Sequence, residues 1–223
     1  MTGRLSFFLI LILALPEASG GVITAFDFDD GTLQGWTPEP FFGGVVENIG
    51  AGGNPDGFLR VKDTVAQGGG LFLRAPAPLF GDLSGFFGIR YDVFVFDNGS
   101  ATTVAPEVFI HGGPNNTTYR SLVKAAPVVL NQWYTIMVEF NAAGFRRSGL
   151  LGSVGHDSFN EVLSDVHGVF INMDASTSGE FEAGLDNVAL QSVLEPATIA
   201  MWAVMGGIGF LAHCRRTKSS LPR

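Results

Sequence analysis

The chain predicts an all-β protein built as an antiparallel sandwich, and three observations carry that prediction. Short β-rich runs recur through the middle of the sequence, separated by clusters of Gly, Pro, Asn and Asp. Helical periodicity is nearly absent between the two ends. The composition, with 30 Gly, 20 Phe and only 15% charged residues, is that of a turn-rich domain with a core rather than of a disordered chain.

Residues 1–20 have the three parts of an export signal. Arg4 is the only charge of the first fifteen residues, Leu5 to Leu15 form a short apolar region, and Pro16, Ala18, Ser19 and Gly20 supply a small, helix-breaking cleavage zone, with the cut expected between Ala18 and Gly21. An uncleaved N-terminal anchor is the alternative. Strands are then expected at about 22–28, 58–65, 70–75, 87–96, 107–111, 117–123, 133–140, 168–174 and 184–190. Tyr91 to Asp97 ends at the turn dipeptide Asn98-Gly99, and Trp133 to Phe140 has the apolar composition of a central strand. Residues 97–106, 112–117 and 141–157 read as loops. One helix is signed: Ser158-Phe159-Asn160-Glu161 has the S-x-x-E form of a capping box, predicting a short helix over 158–165.

After a tether at 191–196 comes the apolar run Ala197–Ala212, 16 residues that as a helix span roughly 24 Å. Flanking residues can extend it to a bilayer core. His213, Arg215, Arg216 and Lys218 follow, so the tail 213–223 is expected to stay cytoplasmic. A buried terminal helix is the alternative, but it gives no reason for the cations. The expected organisation is a signal peptide at 1–20, a sandwich at 21–192, and a sorting and membrane segment at 193–218 with its helix at 197–212.

Residues 21–195 carry 8 Lys and Arg against 20 Asp and Glu, a net of −12. That balance argues against nucleic acid or an anionic lipid surface as partner, and suits divalent cations. The one cysteine, Cys214, lies in the tail, so an exported 21–192 domain has no disulfide to hold it.

Several islands together resemble a known family. They are Phe26-Asp27-Phe28-Asp29-Asp30-Gly31 leading to Gly35-Trp36, then Gly57 to Asp63, Ala75 to Ser84, Phe159 to Val166, and Gly184-Leu185-Asp186-Asn187-Val188. In this order, over about 26–190, they resemble the laminin B domain (laminin domain IV) of bacterial surface proteins. The resemblance implies a galactose-binding-like jelly roll without catalysis. The stretch 98–118 does not align. The C-terminus resembles the PEP-CTERM sorting signal: Glu195-Pro196 match its last two residues, Leu194 replaces its first Pro, and Arg215-Arg216 match its basic end. This implies a bacterial envelope, an exopolysaccharide system and an exosortase that cuts near Glu195. A plain C-terminal anchor is the alternative.

In the related jelly rolls a structural Ca²⁺ often ties the first strand to the last. Asp27, Asp29 and Asp30 lie at the end of the first expected strand and Asp186 in the last, so the resemblance implies a Ca²⁺ site there. The other reading is that these residues cap turns and keep edges soluble. For glycan binding, the aromatic candidates are Trp36, Tyr91, Tyr119, Trp133 and Tyr134. Trp36 and Trp133 read as core. Tyr91 and Tyr119 are taken as ligand-binding residues, Tyr119 because it follows a polar loop.

No nucleophile, acid-base or metalloprotease pattern occurs; His156-Asp157-Ser158 are sequence neighbours, whereas a triad assembles from separate segments. The Asn-x-Ser/Thr matches at Asn98, Asn115 and Asn116 read as ordinary loop residues. The expected function is therefore non-catalytic: an exported envelope or biofilm-matrix protein binding polysaccharide or a surface partner. A structural protein with no ligand, and a glycan hydrolase, are the alternatives.

Overall fold

The computed structural model describes residues 22–39, 44–63, 71–96, 106–122, 129–150, 155–174 and 181–192. All lie in one compact unit, 21–193. The expectations for 1–20 and 193–223, including Glu195, Pro196, Arg215, Arg216 and the 197–212 span, fall outside the described residues. Among the described residues no helix is long and apolar enough to cross a membrane.

Two antiparallel six-stranded sheets face each other. The first contains β1 (Val22–Phe26), β3 (Val45–Ile49), β4 (Phe58–Lys62), β6 (Phe86–Val95), β9 (Trp133–Glu139) and β12 (Glu182–Ser192). Its order is β3-β4-β12-β6-β9, with β1 also on β12. The second contains β2 (Thr37–Pro38), β5 (Phe72–Arg74), β7 (Glu107–Gly112), β8 (Thr117–Ser121), β10 (Phe145–Ser148) and β11 (Val166–Asn172), in the order β10-β8-β7-β11-β5-β2.

Period-2 alternation builds the core. Leu59, Val61, Ile89, Val93, Val95, Val108, Ile110, Val169, Ile171 and Leu185 point between the sheets and are fully buried. Trp36 caps one end of this core, edge-on to Phe26 at 5.9 Å. The helix α1 (Phe159–Ser164) forms as expected. The Ser158 hydroxyl accepts from the Glu161 N–H, and the Glu161 carboxylate accepts from the Ser158 N–H at 2.7 Å, so two orphan donors are satisfied at once. Phe159, Val162 and Leu163 then close one end of the sandwich.

Three strands depart from expectation. β2 is two residues long, β3 has no buried position, and β10 (burial inside, two exposed arginines, burial inside) falls in the stretch 141–157 that reads as loop. All lie at or near sheet edges, where one face and one hydrogen-bonding rim meet solvent and the apolar signal weakens.

The strand β12 is the spine of its sheet. Its first half pairs with β4, its second half with β1, and β6 runs along its other side. The register with β6 shifts between Asp186 and Ala189, where Asn187 takes φ 49°. That left-handed conformation is one Asn tolerates.

Candidate functional site

Alternation puts a second set of side chains on the outer face of the first sheet. One continuous row of register partners crosses five strands: Glu47, Arg60, Gly184, Phe94 and Trp133. Gly184 sits in the middle because nothing larger fits. A Cβ there would lie 2.9 Å from the Trp133 ring and 3.0 Å from that of Phe58. The rings therefore settle directly over the backbone of β12. Trp133 contacts Phe58 edge-on at 5.5 Å and Phe94 at 5.4 Å, and Phe94 contacts Phe96 at 4.7 Å.

These rings wall a cleft of about 350 Å³, closed by Ile49, Ala51, Gly52 and Arg60. The guanidinium of Arg60 stands 5.8 Å over the Phe96 ring and is held by Glu182 and by Glu47 at 3.5 Å. Lys62 reaches the same Glu47 carboxylate at 3.5 Å. The Trp133 indole N–H donates to the Gly52 carbonyl at 3.1 Å, fixing the ring's tilt and the loop beside it. The result is a mostly apolar groove with a few fixed polar groups at its rim, the composition of a small-ligand or oligosaccharide site.

Next to the cleft a buried polar network holds the wall in place. Asp186, Asp92 and Thr135 form the adjacent outer row. The Asp186 carboxylate accepts from the backbone N–H of Asn54 at 2.6 Å and of Asn187 at 2.7 Å. Asp92 accepts from the Asn54 and Asn187 side-chain amides, at 3.1 and 2.9 Å, and from the Thr135 hydroxyl at 2.6 Å. Burial pushes the Asp186 carboxyl up to about 6; the nearby Asp92 and Asp29 charges add to this, while the two N–H donors oppose it.

The four aspartates expected to hold Ca²⁺ do not converge. Asp27 accepts from the Gln34 side chain at 3.1 Å, and Asp30 accepts from the Thr32 N–H and hydroxyl, both at 2.8 Å, so both serve the local turn. Those Thr32 bonds hold the Asp30 carboxyl below its ordinary range. Asp29 accepts from the Gly57 N–H at 2.8 Å and lies within electrostatic reach of Asp186. Among the described residues no group of three or more His, Cys, Asp or Glu side chains is placed to hold a metal ion.

The two tyrosines expected on the surface point inward instead. Tyr91 follows Arg90 and precedes Asp92, and alternation sends it into the core with 0% exposure. Its hydroxyl donates to the Pro106 carbonyl at 2.8 Å, and burial raises its pKa. Tyr119 pairs with Ile110, whose side chain is core, so it shares that face. Its ring packs edge-on against Phe159 at 5.2 Å and its hydroxyl donates to the Asp157 carbonyl at 3.0 Å. Tyr91 has no face free for a sugar, and Tyr119 is part-buried against the core. Trp133, expected in the core, lines the cleft with Phe58, Phe94 and Phe96. The one signal for it lay in counting parity back from Ile136 and Val138, which share the inward face.

The segment 156–158 is structural. Asp157 accepts from the Asn115 N–H at 2.9 Å and from the Thr117 hydroxyl at 2.9 Å, locking the turn between β7 and β8. Ser158 caps α1, and His156 contacts Arg147 at 2.7 Å.

No protein-family model matches the chain, and no curated protein matches it by sequence. Solved structures do match. The chain is similar to the family 11 carbohydrate-binding module of the cellulosomal cellulase Lic26A-Cel5E of Clostridium thermocellum, at 18% identity and a TM-score of 0.51, covering 80% of this chain and 98% of that one. A solution structure of CtCBM11 matches at 19% identity and a TM-score of 0.54, covering 80% and 99%. The CBM22-1 xylan-binding domain of Paenibacillus barcinonensis Xyn10C matches at 15% and 0.51, covering 79% and 97%. The fold is thus a β-sandwich of the kind seen in carbohydrate-binding modules. The L4b domain of human laminin alpha-2 overlaps over 56% of this chain at 15% identity and a TM-score of 0.44, too low to carry an argument.

Proposed function

We propose that this protein is a non-catalytic polysaccharide-binding sandwich whose ligand lies in the cleft of Trp133, Phe94, Phe96 and Phe58. The observation that carries the reading is the row Arg60–Gly184–Phe94–Trp133: a glycine in the central strand lets aromatic faces lie open beside fixed charged groups. Flat apolar rings suit the C–H faces of sugar rings, and Arg60, Glu182 and Glu47 suit the hydroxyls. The likeness of fold to carbohydrate-binding modules supports the same reading.

The setting we propose is the cell envelope or biofilm matrix, reached by the export signal at 1–20 and sorted through Glu195-Pro196 and the 197–212 span by an exosortase-type enzyme. Calcium is proposed only for Asp29 and Asp186, which hold the same loop: Asp29 accepts from the Gly57 N–H and Asp186 from the Asn54 N–H. The test is titration of the full-length protein with xylan, mixed-linkage glucan and polysaccharide from its own cells. Saturable binding that Trp133→Ala removes supports the reading. Absence of binding to every one of them turns it toward a structural protein, and a fall in polysaccharide chain length turns it toward a hydrolase.

A further inference from the structure

We infer that the aromatic cleft of the first sheet selects uncharged sugar chains over carboxylate-bearing ones, and that Glu47 and Glu182 are the residues that set this choice. The inference rests on the polysaccharide reading above and names the charge class that the same cleft takes.

Register and alternation set an acid beside each cation of this face. Glu47 and Arg60 are partners on β3 and β4, and Lys62 and Glu182 are partners on β4 and β12. The period of two puts all four on the side that carries Phe94 and Trp133. Arg60 Nε donates to Glu182, Arg60 Nη1 lies 3.5 Å from Glu47, and the Lys62 ammonium lies 3.5 Å from the same Glu47 oxygen. Two positive and two negative groups therefore cancel at the mouth of the cleft. Arg90 has Asp92 at 4.0 Å. The strands of this sheet carry Arg60, Lys62 and Arg90 against Glu47, Asp92, Glu139, Glu182 and Asp186, so they hold no positive charge to spare. The four groups at the mouth are reachable from solvent, their side chains ranging from 21% exposed at Glu182 to 42% at Glu47.

Charge is cancelled here, but hydrogen bonding is not. A guanidinium has five N–H donors, and the Glu182 bond uses the one on Nε. That bond holds Arg60 above its ordinary range, so the group stays protonated and donating. A sugar hydroxyl can accept from Arg60 and give its own proton to an oxygen of Glu47 or Glu182, so both members of the pair serve one neutral ligand. A carboxylate has no proton to give. It meets Glu47 and Glu182 as like charges, beside rings that lower the local dielectric and sharpen the repulsion. Selectivity then comes from repelling the wrong chain as much as from holding the right one.

The test uses the full-length protein with two matched pairs of chains: mixed-linkage glucan with its C6-oxidised form, and β-1,4-xylan with β-1,4-glucuronan. Within each pair only the group on C5 differs, and one member carries carboxylates. Wild type is expected to bind a neutral member about tenfold or more tightly than its carboxylated partner, with the gap narrowing as salt rises. E47Q, at an exposed edge position, should narrow the gap, and E47Q/E182Q should close or reverse it by freeing Arg60 and Lys62. W133A added to the double variant should remove the carboxylated chain again, which places it in the same cleft. D165N removes one acid of the second sheet and should leave the gap as it is. Equal binding of both members by wild type, or preference for the carboxylated one, overturns this inference alone. So does a gap unchanged in folded E47Q and E47Q/E182Q, or one that D165N narrows as much as E47Q does, since overall charge would then be the cause. Binding of none of the four chains overturns the polysaccharide reading and this inference with it.

Discussion

Asp92 and Asp186 face each other across β6 and β12 as register partners, each 1% exposed, and are joined by the amides of Asn54 and Asn187. The Asn187 side chain also donates to the Asn54 carbonyl, so a loop and two strands meet at one point. Two buried carboxylates held by the same two asparagines cannot both be charged without cost.

That relationship sets a pH dependence. The folded Asp186 carboxyl titrates at about 6, above its unfolded value. Its contribution to stability is therefore full below the unfolded pKa and is lost as pH rises through about 6. His111, lowered in the fold, works in the opposite sense, and so do Asp30, Asp82, Asp157 and Glu161 at lower pH. The difference between wild type and Asp186→Asn isolates the one group: wild-type Tm relative to the variant should fall between mildly acidic and neutral pH. A constant difference across that range counts against the pair.

Calcium would reverse this. A cation between Asp29 and Asp186 favours their ionised forms, so neutral pH would cease to be costly. At 100 times its dissociation constant such a ligand adds about 2.7 kcal/mol. Melting at neutral pH should show a Tm several degrees higher in Ca²⁺ than in chelator. The same rise should persist in Asp27→Asn and Asp30→Asn, whose carboxylates serve the turn, and vanish in Asp186→Asn. Equal Tm values with and without chelator remove calcium from the account.

Trp133→Ala should reduce affinity for a cleft ligand by about 30-fold or more, as buried aromatic anchors do. Phe94→Ala should act in the same direction. A Trp133→Ala protein that keeps its melting temperature within a few degrees and loses binding locates the ligand. Retained affinity would move it off the cleft.

Tyr91→Phe tests the inward placement of that ring. It leaves the Pro106 carbonyl without its donor and should cost about 1–3 kcal/mol in stability. Polysaccharide affinity should not change. Ser158→Ala, which removes one half of the capping box, should cost about 1 kcal/mol, or roughly 2–4 °C in Tm for a domain of this size.

The sequence shows its strands wherever one face is apolar and the other polar, and it shows α1 because a capping box is a local hydrogen-bond pattern. It hides the cleft for a related reason. From Phe86 to Val95 both faces carry large apolar residues, with Phe94 outside and Tyr91 inside, so composition alone does not tell which parity is buried. One residue of register decides whether an aromatic is core or ligand-facing. The acidic network is hidden differently: Asn54 and Asp186 are 132 positions apart, and neither belongs to a motif that would pair them.

The position of β12 has a consequence for how the chain acquires its structure. The central strand of the first sheet is the last strand of the described residues, so β1, β3, β4, β6 and β9 are made before the element that joins them. Folding must wait for contacts of very long sequence separation, which places this domain among the slow folders. A ribosome stalled before Glu182 would hold a chain with one sheet lacking its middle, open to capture by chaperones.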